Sequence, residues 1–187
     1  EIETIYEKNF EKVIYEFFNL ESEWMFNAYN EYQDIEKYLI LTHLIHKTFK
    51  TYNKHFYKVS FEKFYNNPHI EIEKISIIDL VKSLSITKET ARRKLNELNK
   101  DGVLTRKLKN IRINSVELNP KLERNVFNLS KIIYIFSKNL NKEYSREEIE
   151  KKIRLNYTQY WNLFFNFQIP YILRCKKIYK STENFYV

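Results

Sequence analysis

The chain has one glycine and three prolines in 187 residues. That scarcity excludes a glycine-rich phosphate loop, which needs several φ > 0 or close-approach positions. A single cysteine, Cys175, excludes a disulfide framework and suits a reducing compartment, so a cytoplasmic location is expected. Long apolar runs are missing too. The longest, from Tyr38 to Ile45, is broken by Thr42 and His43, far short of the ~20 residues that span a bilayer. No signal-peptide pattern is visible, and no membrane association is expected. Catalytic groupings are equally sparse. Of the four histidines, His43 and His46 lie one helical turn apart, but no Cys or carboxylate joins them at ligand spacing. They read as partly exposed helix histidines rather than a metal site. Lys176 and Lys177 beside Cys175 would favour a redox-sensitive thiolate, against the plainer reading of a buried, idle thiol. No enzyme activity, cofactor or metal is expected.

What the chain does have is positive charge, unevenly placed. Residues 1–70 hold 8 basic and 11 acidic side chains, a net −3. Residues 71–187 hold 24 and 13, a net +11. Between Lys82 and Arg112 there are 10 Lys and Arg against Glu89, Glu97 and Asp101, a local +7. A merely solvated helix mixes signs at i, i+4 spacing, whereas a surface made for a polyanion does not. An acidic first third and a basic remainder suggest separate tasks, a partner chain in front and a polyanion behind.

Apolar spacing predicts a mostly helical chain. Ile2, Ile5, Tyr6, Phe10, Val13, Ile14, Phe17 and Phe18 recur at helical intervals, followed by a second stripe of Trp24, Met25, Ala28, Tyr29 and Tyr32. A stronger helix is predicted over 34–49, with Ile35, Leu39, Leu41, Leu44, Ile45 and Phe49 inward. Ser60 is positioned to cap a short helix ended by Asn66, Asn67 and Pro68, and Ile70 to Ile72 reads as a small strand.

Residues 76–113 are the most informative. Ile77, Leu80, Val81 and Leu84 form the i, i+3, i+4, i+7 stripe of a short helix. Ser85 turns the chain and Ile86 plugs the corner. Thr87 is the N-cap of a second helix, with Thr90 at the position where a capping box would carry Glu or Gln. That helix turns Ala91, Leu95 and Leu98 inward and Lys88, Glu89, Arg92, Arg93 and Asn96 outward. Gly102 stands where a left-handed stop is most useful. Val103, Leu104 and 111–113 are β-prone runs around a cationic tip, residues 106–110. Helix, turn, basic helix and basic hairpin is the order of a winged helix-turn-helix.

The segment 87–93, with Leu95, Leu98, Gly102 and Leu104, resembles the recognition helix and wing of bacterial winged-helix regulators. The motif is similar to the DNA-binding domain of the cyclic-AMP receptor type. That resemblance implies base contacts by Lys88, Glu89 and Arg93; the glycine-rich β-roll of that family is ruled out by the composition. The overall layout is similar to the MarR family, largely helical around a central winged helix. Physically, Arg forks onto guanine O6 and N7 and Glu accepts from cytosine N4. The expected DNA-binding residues are Thr87, Lys88, Glu89, Thr90, Arg92 and Arg93 on the helix, and Arg106, Lys107, Lys109 and Arg112 on the wing. The wing residues would neutralise phosphates without reading sequence.

An internal repeat is suggested when Ser145 to Trp161 is laid over Ser76 to Arg92. Ile149 then falls over Leu80, Ile153 over Leu84, Leu155 over Ile86, Phe164 over Leu95, Phe167 over Leu98 and Leu173 over Leu104. The repeat makes 125–187 a second, degenerate winged helix. Trp161, Asn162 and Leu163 replace Arg92, Arg93 and Lys94, and Pro170 interrupts where Asp101 stood. Its aromatic helix (Tyr157, Tyr160, Trp161, Phe164, Phe165, Phe167) reads as buried or as a dimer contact, with an aromatic platform for unpaired bases as the rival.

The expected fold is mainly α with a small β-hairpin wing: a winged helix-turn-helix, in one or two tandem copies, with N-terminal dimerisation helices. The expected segments are 1–34 for dimerisation, 35–118 for the winged helix and 119–187 for the C-terminal helices. The expected function is a sequence-specific double-stranded DNA-binding transcription regulator, homodimeric, with room for a small-molecule effector. The alternative is a tandem winged-helix replication initiator or protein-docking module.

Overall fold

The computed structural model describes residues 2–55, 57–66, 69–72, 75–107, 110–114, 119–139 and 144–179. The order is α1 (Ile2–Lys8), α2 (Phe10–Tyr32), α3 (Ile35–Lys54), α4 (Phe61–Tyr65), β1 (His69–Ile72), α5 (Ile77–Leu84), α6 (Lys88–Lys100), β2 (Leu104–Lys107), β3 (Asn110–Asn114), α7 (Asn119–Asn139), α8 (Arg146–Leu155) and α9 (Tyr157–Tyr179). It is mainly helical with one small sheet, consistent with a winged helix-turn-helix. No helix among the described residues is long and apolar enough to cross a membrane.

The central element is α3. Asp34 caps it, its carboxylate accepting the backbone N–H groups of Glu36 and Lys37 at 2.8 and 3.3 Å. Ile35, Leu39, Ile40, Leu41, Leu44 and Phe49 are all buried, because α2, α5, α6, β1 and α9 surround the helix. Each fully buried apolar side chain of this size contributes about 1.5–3 kcal/mol.

The first N-terminal apolar stripe is divided between two helices: Ile2, Ile5 and Tyr6 fall in α1, and its remainder shares α2 with the second stripe. α2 is continuous from Phe10 to Tyr32 and ends at Gln33 in the left-handed conformation (φ 50°). Val13, Leu20, Trp24, Met25 and Ala28 face the core, while Phe10 and Phe18 are exposed.

Helix α9 is the second core element. Tyr157, Trp161 and Phe165 are buried; Tyr157 packs against Phe49, Phe61, Phe64 and Tyr65, Phe165 stacks on Phe49, and Trp161 lies against Trp24 and Tyr157. The Trp24 ring lies parallel to Phe164 at 5.1 Å. The rings of Tyr157, Trp161 and Phe165 therefore serve packing and are closed to unpaired bases. Pro170 does not interrupt: α9 runs through it to Tyr179. The chain gives up the one backbone hydrogen bond a proline cannot donate, with Pro170 itself exposed and Ile169 and Ile172 buried beside it.

The suggested repeat does align some local features. Ser76 and Ser145 both cap their helices with a reciprocal capping box, to Asp79 and Glu148. The same offset lays Tyr157, the first residue of α9, over Lys88, the first of α6. The correspondence then fades. Leu155 is exposed where Ile86 is buried, and Phe167 where Leu98 is buried. Leu173, aligned with Leu104 of the wing, lies inside α9.

The plainer reading of the thiol, buried and idle, fits what the fold does with it. Cys175 is buried, and burial pushes its thiol up rather than down; Lys176 is paired with Glu36 at 2.7 Å. His46 Nε2 lies 3.1 Å from Asn166 Oδ1. Among the described residues, no group of three or more His, Cys, Asp or Glu converges as a metal site would require.

One buried acid makes stability depend on pH. Glu21 is buried, and the Gln168 side-chain amide donates toward both its oxygens at 3.3 Å. Burial pushes its carboxyl up from 4.5 to about 7 against that hydrogen bonding. The folded chain therefore holds this proton more tightly than the unfolded chain. The contribution is complete below pH ~4.5 and is lost as pH rises to about 7, by roughly 3 kcal/mol. His43 and His46 act oppositely. Burial and then Lys50 push both down to about 4, so their contribution is lost as pH falls from 6.5. Glu21→Gln should therefore remove the stability lost between pH 5 and 8 in urea titrations. An unchanged pH dependence would contradict this.

Candidate nucleic-acid interface

The helix-turn-helix is assembled from local signals. Ser76 accepts the Asp79 N–H at 3.0 Å, and Asp79 returns the bond to the Ser76 N–H at 3.0 Å. α5 stops at Ser85, which takes the left-handed conformation (φ 52°) without being glycine, and Ile86 is buried as the corner plug. The Thr87 hydroxyl accepts the Thr90 N–H at 3.0 Å and donates to the Thr90 hydroxyl at 2.9 Å. Thr90 therefore completes the cap at the position where Glu or Gln is usual.

The C-terminal stop of α6 is a Schellman turn. The Val103 N–H reaches the Leu98 carbonyl at 3.1 Å and the Gly102 N–H the Asn99 carbonyl at 3.3 Å, with Gly102 at φ 75°. β3 pairs antiparallel with both β1 and β2, giving the order β1-β3-β2. Ile70 sits opposite Ile113, Ile72 opposite Ile111 and Leu104 opposite Ile113. All five are buried against the helices. Asn99 ties the wing to α6, its Oδ1 accepting the Arg106 N–H at 3.0 Å.

On α6, Ala91, Leu95 and Leu98 are buried, while Lys88, Glu89, Arg92, Arg93, Asn96 and Lys100 are exposed. With Glu97, these exposed residues line one open depression. Lys88, Arg92, Asn96 and Lys100 follow one another at i, i+4 and form a single line along the helix. Among the described residues, Lys88, Arg92 and Lys100 have no acidic partner. Arg93 rests on Glu97 at 3.0 Å, with its side chain 56% exposed. An exposed pair of this kind holds less than about 1 kcal/mol, so Arg93 can exchange Glu97 for another acceptor at small cost.

Not every cation in the segment faces outward. Lys94 is 7% exposed, and its ammonium pairs with Asp34 and, at 3.6 Å, with Glu97. Lys37 reaches Glu97 at 3.5 Å and Asp101 at 2.9 Å. Partial desolvation pushes the Glu97 carboxyl up, but Lys94, Lys37 and Arg93 outweigh it and hold it below its ordinary value. The local +7 thus includes one charge devoted to attaching α6 to α3.

Of the expected site residues, Thr87, Lys88, Glu89, Thr90, Arg92 and Arg93 lie together at the N-terminal half of α6. Arg106 is exposed at the wing. Arg112 lies on the outer face of the sheet, paired with Glu71 at 2.6 Å. Lys107 ends β2, and Lys109 lies outside the described residues, as do Asn67 and Pro68 of the expected turn. Asn96 and Lys100 extend the exposed line beyond the expected site residues. Their i+4 and i+8 spacing from Arg92 was the available signal.

This geometry, two short helices joined at a plugged corner with a three-stranded wing behind them, is that of a winged helix-turn-helix domain. Residues 71–116 match the family model of the DeoR-like helix-turn-helix domain, which supports that class without confirming the cyclic-AMP receptor or MarR likeness. No curated protein and no solved structure matches the chain.

Proposed function

We propose that the protein is a homodimeric, sequence-specific regulator of transcription, acting in the cytoplasm without enzymatic chemistry. α6 lies in the major groove, where Lys88, Glu89, Arg92 and Arg93 meet base edges, and the wing rests on the phosphates. One observation carries the reading: the outer face of α6 is cationic and open, while its inner face and Lys94 anchor it to α3. The test is selection of bound sequences from a random duplex pool, followed by titration at increasing salt. Affinity for the selected duplex should fall by at least about a hundredfold between roughly 50 and 200 mM salt, as counterion release demands. A flat salt response, or no enrichment of any sequence, would overturn the reading.

The shared capping boxes at Ser76 and Ser145 keep a second reading in play, a tandem winged-helix initiator or docking module. Bound sites at iterated origin repeats would favour the initiator; isolated promoter sites favour the regulator; no duplex binding favours docking. One internal space that could take an effector is a cavity of about 60 Å³ walled by Trp24, Tyr38, Thr42, Tyr65, Tyr157 and Trp161. Among the described residues, the buried Trp161 Nε1 has no hydrogen-bond partner. That volume suits a few waters or a ligand of a few heavy atoms.

A further inference from the structure

The surface of α2 opposite the core carries a second apolar stripe. Tyr15 is 65% exposed, Phe18 47%, Phe26 64% and Tyr29 41%, and Ser22 between them is exposed. At 100° per residue these five fall within ~80° of one another, diametrically opposite Val13, Leu20, Trp24 and Ala28. The steps along the stripe are 3, 4, 4 and 3, the spacing of a helix–helix seam. The neighbouring outward positions, Asn19 and Asn30, are uncharged. Absence of charge at the centre of an exposed aromatic patch is the composition of an interface core.

The stripe is also a palindrome. Read from either end it is Tyr, Phe, Ser, Phe, Tyr, centred on Ser22. We infer that α2 pairs with α2 of a second copy, antiparallel, with the two-fold axis at Ser22. Tyr15 then lies against the partner's Tyr29 and Phe18 against the partner's Phe26, an isologous contact in which each ring meets its counterpart. Antiparallel helices also oppose their macrodipoles favourably. Four aromatic side chains of roughly 200 Å² each, about half exposed, supply about 400 Å² per protomer. With Asn19, Ser22 and Asn30 the symmetric pair approaches ~1,000 Å², the lower range for a specific interface.

The spacing of the readers agrees. Asp34, at the far end of α2 from the axis at Ser22, holds Lys94 of α6. The helical rise from Ser22 to Tyr32, the last residue of α2, is about 15 Å, so the two C-terminal ends of α2 in the pair are separated by about 30 Å along the helix axis. Half-sites one duplex turn apart are ~34 Å apart. This inference rests on the homodimeric reading above, and its test uses no DNA.

The full chain should sediment as a dimer, and Phe26→Glu should weaken dimerisation by more than about tenfold. Phe26 is solvent-facing in the protomer, so an unchanged circular dichroism melt keeps misfolding apart from loss of the contact. For orientation, single cysteines are placed in a Cys175→Ala background. Ser22→Cys should cross-link to itself, and Tyr15→Cys should cross-link to Tyr29→Cys but not to itself. A monomeric chain, a dimer indifferent to Phe26→Glu, or self-cross-linking by Tyr15→Cys would each overturn the proposal. Selective duplex binding that survives any of these results leaves the DNA-reading role standing by itself.

Discussion

Lys94→Ala is expected to lower the unfolding free energy by about 3 kcal/mol in urea titrations, far more than any outward-facing lysine on α6. The ammonium is nearly enclosed and sits between the Asp34 carboxylate, which caps α3, and Glu97. Truncation leaves Asp34 without its counter-charge and removes the stem that fills the gap between α3 and α6. A double-mutant cycle with Asp34→Asn isolates the pair. Coupling above roughly 1 kcal/mol fits the contact described, and additive losses would deny it. Lys88→Ala and Lys100→Ala should each change stability by less than about 0.5 kcal/mol.

The second large effect falls on binding. Arg93→Ala should cost about 1–3 kcal/mol of affinity for the selected duplex, roughly ten- to a hundredfold, and flatten base preference. Combining it with Arg92→Ala should bring the protein close to its non-specific affinity. Arg106→Ala, at the wing, should instead weaken selected and random duplexes by the same factor and reduce the salt slope by about one. Competition titrations with both duplexes make the comparison. Equal losses for Arg93→Ala on selected and random DNA would contradict the division between reading and anchoring.

The reading segment was legible because its signals are local. Thr87 needs only its own hydroxyl to begin α6, the one glycine, Gly102, sits at φ 75°, and Ile70, Ile72, Ile111 and Ile113 alternate as strand residues facing a core must. The pairing of Lys94 was not legible. Its partner Asp34 is remote in the sequence, and a count of charges treats every cation as solvent-facing, although the spacing from Ala91 and Leu98 places Lys94 on the inner stripe. The same limit applies to Arg112, whose neighbour Glu71 becomes adjacent only when β1 joins the sheet. Pro170 misled for a different reason. A proline signals a break when the helix stands alone, but burial of Trp161, Phe165, Ile169 and Ile172 along α9 outweighs one missing hydrogen bond. The N-terminal stripes run together in α2 from Phe10 onward, where apolar residues occur on two opposite sides and only one side faces inward.

Asp34 also has a mechanical consequence. The same carboxylate fastens the first turn of α3 and the underside of α6, directly after the left-handed Gln33. The elbow between α2 and α3 is therefore pinned from α6, and any change at Asp34 is felt by both helices at once.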